Sequence, residues 1–190
     1  MNGGINSLIN QLKHSPDYKN QIVYHHIIPE KKAVYTHVGN FLKKETISAL
    51  KNIGIAELYS HQKESIKAVR EGKNVILSTP TSSGKTLAYN IPIFESILSD
   101  DRTRAFYIFP LKALGHDQLK TIKEFSSKFA EKNIKAEIYD GDTSPHSRKK
   151  IAKDNPHIIV TNPDMLHFGF LAYHSNWENF FLKFEIYNHR

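Results

Sequence analysis

The segment TPTSSGKT, Thr79–Thr86, stands between the apolar run NVILS (Asn74–Ser78) and a helical pattern, LAYNIPIFESIL (Leu87–Leu98). A Gly-Lys-Thr at a strand-to-helix junction suits a loop that turns several backbone N–H groups toward one anion at a helix N-terminus, where the helix dipole also favours negative charge. Thr81, Ser82, Ser83 and Gly84 offer those groups, and Gly84 lets the backbone come close to phosphates. Lys85 can reach the β- and γ-phosphates of a nucleotide as a point charge, and the Thr86 hydroxyl can ligate the accompanying Mg²⁺. Lys85 and Thr86 are therefore the candidate catalytic pair, with Thr86 the candidate metal ligand. The generic pattern GxxxxGK[ST] has glycine at its first position, where this chain has Thr79. The strand–loop–helix order around the motif carries the assignment that the first position does not.

The rest of the pattern alternates strand and helix from Ile55 onward. Ser60 reads as the N-cap of HQKESIKAVREG, which Gly72 ends. RAFYIFP (Arg104–Pro110), KAEIYD (Lys135–Asp140) and HIIVT (His157–Thr161) read as further strands. A helix from Leu111 to about Ala130 follows the first, and a polar segment with a short helix follows the second. Pro92 should kink the helix after the phosphate loop or mark an irregular turn. Alternation of this kind implies an α/β fold: a parallel sheet with helices on both faces. Residues 1–54 read differently, as an accessory lead-in. They hold one or two short strands within Tyr24–Val38 and a helical face from Thr46 to Ile53 that Gly54 stops. The expected organisation is thus residues 1–54 as accessory segment and 55–190 as the α/β domain.

Other loops fall at the ends of the expected strands. FPLKAL (Phe109–Leu114), YDGDT (Tyr139–Thr143) and TNPDML (Thr161–Leu166) all follow strands. Ligands of open α/β sheets gather at the carboxyl edge, so the three loops share one rim. Asn162 or Asp164 can cap a following helix whose N–H groups face a phosphate. Upstream, LYSHQ (Leu58–Gln62) holds a glutamine whose amide can pair a donor and an acceptor edge of adenine.

Composition narrows the partners. The 190 residues carry 26 Lys and Arg against 19 Asp and Glu, a net charge of +7, which favours a polyanionic partner. There is no cysteine, which removes disulfides, thiol catalysis and Cys-ligated metals. A reducing cytoplasm is the expected location. No apolar run approaches the roughly 18 to 20 residues that span a bilayer, so no membrane partner is expected. The 11 His show no HxxxH pair with a suitable carboxylate on one helix, and they read as surface or hydrogen-bonded residues.

The ordered set LYSHQ, TPTSSGKT, FPLKAL, YDGDT, TNPDML resembles the superfamily 2 DEAD/DEAH-box helicases. Within them it is most similar to the DNA-repair subgroup related to bacterial mitomycin-repair helicases and fungal RecQ-like helicases. The resemblance runs from about Tyr24 to Leu182. It implies a P-loop NTPase (RecA-like) domain, ATP and Mg²⁺ as cofactors, and nucleic acid as partner, single-stranded DNA ahead of RNA. In that family Thr79 replaces the first glycine of the loop. The resemblance makes Gln62 the adenine reader, Tyr59 a stacking partner for the base, and Gly84, Lys85 and Thr86 the phosphate and Mg²⁺ site. It makes Pro110, Lys112 and Ala113 one strand-contacting motif, Thr161, Pro163 and Asp164 a second, and Gly141 and Asp142 part of a further contacting loop.

The family continues into a hydrophobic strand ending in Asp-Glu-x-His, which holds Mg²⁺ and positions the attacking water. Here the corresponding residues are FEIYNHR (Phe184–Arg190), in which Glu185 and His189 have neither that order nor that spacing. The expectation is an RecA-like domain incomplete at its C-terminus. The change at Glu185 reads as a truncation or frame change, with the C-terminal half encoded separately, or as a natural short form. The expected function is binding of ATP and nucleic acid without unwinding by these residues alone. A non-catalytic nucleic-acid-binding module and a fragment of an RNA helicase stay open as alternatives.

Overall fold

The computed structural model describes residues 3–18, 21–30, 32–80, 83–129, 132–182 and 184–189. The chain divides into two compact units, residues 1–33 and 34–190. In the first, α1 (Gly3–His14) is followed by a 3₁₀ turn at Pro16–Tyr18.

The second unit begins with β1 (Tyr35–His37), α2 (Lys44–Asn52) and β2 (Glu57–Tyr59). β1 pairs antiparallel with β2, Tyr35 opposite Tyr59. Of the one or two strands expected within Tyr24–Val38, β1 forms among the described residues. Gly54 ends α2 region as expected, with φ +78°. The division at 33/34 differs from the expected boundary at 54/55, because Val38, Leu42, Ala49 and Leu50 enter the same apolar core as the sheet. Polar lysines between them hide that core contribution in the sequence.

α3 (Ser60–Arg70) and α4 (Lys85–Ser99) follow. The N-cap of α3 is Tyr59 rather than Ser60, and the Gln62 side chain satisfies the cap N–H. The expected strand NVILS forms no ladder among the described residues, since the sheet takes its four strands from elsewhere; Ile76 is 95% exposed. α4 runs unbroken through Pro92. Proline cannot donate to the Ala88 carbonyl, but buried Ile91, Ile93 and Phe94 hold both halves of the helix in the core.

β3 (Arg104–Ile108), α5 (Lys112–Ser126), β4 (Ala136–Ile138), α6 (Pro145–Asp154) and β5 (Ile158–Thr161) complete the alternation. β6 (Phe184–His189) closes it after a helical stretch that includes a π-helix at Leu166–Leu171. All the sheet's pairings are parallel, in the order β4-β5-β3-β6. β6 was not legible as a strand; its backbone pairs along the open edge of β3.

Side chains along β3 and β5 alternate between two cores, as a sheet covered on both faces requires. Ala105, Tyr107, Ile158 and Val160 join Phe94, Ile97, Ile122 and Phe125 of α4 and α5. Phe106 and Ile159 join Tyr139, Ile151, Phe170, Trp177 and Phe180 on the other face. Each fully buried side chain of this kind contributes about 1.5–3 kcal/mol. A buried hydrogen bond from Tyr107 Oη to Asn90 Oδ1, 2.8 Å, fixes α4 on the sheet and so fixes the loop that precedes it.

Candidate functional site

Gly84 is the N-cap of α4 and has φ 73° and ψ 25°, the left-handed region that favours glycine. It is also crowded: a Cβ there would fall 2.5 Å from Gln62 Nε2. The crowding arises because the buried Gln62 side chain bridges two segments. Its Oε1 accepts from the Tyr59 N–H at 2.8 Å, and its Nε2 donates to the Gly84 carbonyl at 2.7 Å. The neighbouring His61 donates through Nε2 to the Ser83 carbonyl at 3.0 Å. Consecutive residues at the start of α3 thus hold consecutive carbonyls of the phosphate loop.

Within the loop, Thr79 Oγ1 and Ser83 Oγ lie 2.7 Å apart and share a hydrogen bond. The threonine at the position where the generic pattern has glycine therefore ties one end of the loop to the other. Lys85 Nζ donates to the Thr79 and Pro80 carbonyls at 2.7 and 2.6 Å. Thr86 lies in the first turn of α4, half-buried, and its hydroxyl has no side-chain hydrogen bond among the described residues. A hydroxyl at that position fits a ligand of Mg²⁺. Thr81 and Ser82 lie outside the described residues. Tyr59 is flanked by Tyr35, with ring centroids 5.0 Å apart, and by His61, 5.6 Å away. A hydrogen bond with Tyr59 raises the Tyr35 pKa above the ordinary phenol value.

The three rim loops converge as expected. A shallow cleft is lined by Phe109, Lys112, Asp140, Thr161 and Asn162, at the carboxyl ends of β3, β4 and β5. Pro110 and Ala113 are exposed beside it, as are Pro163 and Asp164. Lys112 Nζ donates to Asp142 Oδ1 at 2.8 Å, and that bond raises the lysine pKa. The ammonium lies over Gly141, where a Cβ would stand 3.2 Å from it. Thr161 is buried, and its hydroxyl donates to the Tyr139 carbonyl at 2.7 Å, so its side chain braces β5 against β4. Asn162 caps the next turn, accepting from the Met165 N–H at 2.8 Å.

Three further residues complete the site: His116, Asp140 within YDGDT, and Arg148 at the head of the basic run that follows it. Asp140 is 3% exposed. Its Oδ1 accepts from the N–H groups of Asp142 and Thr143 and from the Thr143 hydroxyl at 2.9–3.1 Å. Burial pushes this carboxyl up, yet these bonds and that from His116 together hold it below the usual carboxylate value. His116, one turn after Lys112 on α5, donates through Nε2 to Asp140 Oδ2 at 3.2 Å. Arg148 donates to the Thr143 and Asp140 carbonyls at 2.9 and 3.1 Å and covers the Tyr139 ring. The four-residue spacing of Lys112 and His116 was the available signal for one of these. His61 was legible only through its place beside Gln62. Among the described residues no group of three or more His, Cys, Asp or Glu could hold a metal ion by itself.

The loop before α4, the glutamine that spans it and the cleft at the carboxyl edge of a parallel sheet define the class, a P-loop domain. Residues 59–185 match the family described as DEAD/DEAH box helicase, and the chain belongs to that family. The chain is 40% identical over 177 residues to the uncharacterized ATP-dependent helicase YprA of Bacillus subtilis, covering 93% of this chain and 23% of that protein. It is 39% identical over 177 residues to the ATP-dependent helicase HRQ1 of Saccharomyces cerevisiae, covering 93% of this chain and 16% of that one. The solved structure of the DUF1998 helicase MrfA bound to DNA and AMPPNP superposes with a TM-score of 0.88 at 38% identity, over 96% of this chain and 25% of that chain. The chain thus spans about a quarter or less of the length of these relatives. Among the described residues no helix is long and apolar enough to cross a membrane.

Proposed function

We propose that these residues form the ATP- and strand-binding domain of an ATP-dependent DNA helicase of the DNA-repair type. The observation that carries the reading is the phosphate loop at Gly84, with its left-handed glycine held from the base-reading side by Gln62. Lys85 exchanges its two carbonyl partners for phosphate oxygens, and Thr86 would hold Mg²⁺, whose charge would offset that of the phosphates. Gln62 reads adenine, and Tyr59 offers the base a ring face. The rim cleft takes the sugar–phosphate backbone through Lys112, the Gly141–Asp142 loop and the 161–164 turn, with affinity drawn from charge rather than base identity. Binding of ATP and of a strand, rather than unwinding, is the activity proposed for a chain that spans a quarter or less of its helicase relatives.

The test is anisotropy of labelled single-stranded DNA, and of RNA of the same sequence, across a salt series. The expected result is binding that weakens steeply with salt and favours DNA. Lys112→Gln should weaken it and reduce the salt slope by about one. Salt-independent binding, or Lys112→Gln indistinguishable from the unsubstituted chain, would contradict the reading. Lys85, satisfied by its own loop, favours one second reading, a binding module that does not use nucleotide. DNA binding indifferent to both ATP and Lys85→Ala would support that one.

A further inference from the structure

Lys112 and His116 lie about one turn apart on α5, about 6 Å along the axis, and each faces a carboxylate of the 140–143 loop. The two carboxylates differ. Asp142 is a surface partner, its side chain 73% exposed. Asp140 is buried, its side chain 5% exposed, and already accepts three hydrogen bonds on its other oxygen. An ionised carboxylate can only accept, so the His116 Nε2 that faces Asp140 must carry a hydrogen. Nδ1 has no protein partner among the described residues, and the His116 side chain is 56% exposed.

In neutral His116, Nδ1 is then a lone pair, which repels a phosphate oxygen. In the protonated ring it is a second N–H donor, directed outward while the first stays on Asp140. We infer that His116 is a further strand-contacting residue of the rim, binding a backbone phosphate through Nδ1–H and taking up a proton as it does so. This rests on the proposed strand-binding role of the rim. The phosphodiester supplies the outer negative charge and Asp140 the inner one, so the imidazolium is held from both sides. The other charged groups at this place are Lys112 and Asp142 on one side and Arg148, whose guanidinium binds the Thr143 and Asp140 carbonyls, on the other. The hydrogen bond from Lys112 to Asp142 raises the lysine pKa, which keeps its ammonium charged.

Calorimetric titration of the full chain with a single-stranded oligothymidylate, in buffers of different ionisation enthalpy, reads proton uptake directly. The unsubstituted chain should take up a fraction of a proton on binding at pH 7, and bind more weakly at pH 8 than at pH 6. His116→Gln should abolish the uptake, flatten the pH profile and weaken binding at pH 6 by about three- to ten-fold. His116→Lys should restore affinity without the uptake. Lys112→Gln is run beside them. If Lys112→Gln weakens binding while His116→Gln leaves affinity and uptake unchanged, the inference is overturned and the rim reading stands. If neither substitution changes binding, the rim reading fails and takes the inference with it. Since His116 is exposed, unchanged circular dichroism and melting temperature certify that the variants are folded.

Discussion

At Gly84 the structure demands two things of one residue, a φ of +73° and room for Gln62 Nε2 where a Cβ would otherwise stand. Gly84→Ala therefore pushes Gln62 off the loop and strains the backbone that presents the N–H groups. Nucleotide affinity should fall ten-fold or more, with a stability loss of about 1–2 kcal/mol. Titration of a fluorescent ATP analogue, paired with urea unfolding, measures both. Affinity unchanged by Gly84→Ala would mean that the crowding at Gln62 has no part in binding. At this scale the sequence was most informative where chemistry is written in residue type, as at Lys85, Thr86 and Lys112. It was less informative on Asp140, His116 and Arg148, whose roles depend on a loop folding back onto α5 and α6. Thr161 shows the reverse: its place in the motif was legible, but burial commits its hydroxyl to Tyr139.

Among the elements, α3 and α4 carry the two halves of the proposed nucleotide site, so their mutual position matters more than either helix alone. A buried Glu95 on α4 pairs with Arg70 on α3 and accepts from the Lys43 N–H at 2.7 Å, while Arg70 donates to the Phe41 carbonyl at 2.6 Å. Glu95→Ala leaves the Lys43 N–H without its acceptor and the guanidinium without its carboxylate. Because Arg70 is one-third exposed, the cost is screened to about 1–3 kcal/mol. Glu95→Gln, which keeps an acceptor for Lys43, should cost less. Urea unfolding of the two variants checks the order, and equal stability of Glu95→Ala and the unsubstituted chain would contradict it. The strands β3 and β5 were legible because each packs on two cores and reads as an apolar run bounded by turns. NVILS reads the same way yet forms no ladder, since apolarity marks a strand's fitness for a sheet and not the presence of a neighbour to pair with. β6 is the converse case, a mixed sequence paired through its backbone.

On the scale of the whole molecule, a parallel sheet covered on both faces brings three loops to one edge and seats the phosphate loop at the start of α4. That convergence was legible as strand–helix alternation, because helices that return the chain to the same edge leave every βα loop on one rim. The division at residues 33/34 was not, because the burial of Leu42 and Leu50 depends on long-range packing. The net charge of +7 acquires a place in this frame at Lys112, whose ammonium waits on a replaceable carboxylate. All of this rests on the loop from Thr79 to Thr86 binding a nucleoside triphosphate. The most direct test is titration of a fluorescent ATP analogue, with Mg²⁺, against the unsubstituted chain and Lys85→Ala. Saturable binding that Lys85→Ala weakens ten-fold or more is the predicted result. Equal binding by the two proteins would contradict the assignment of the phosphate loop.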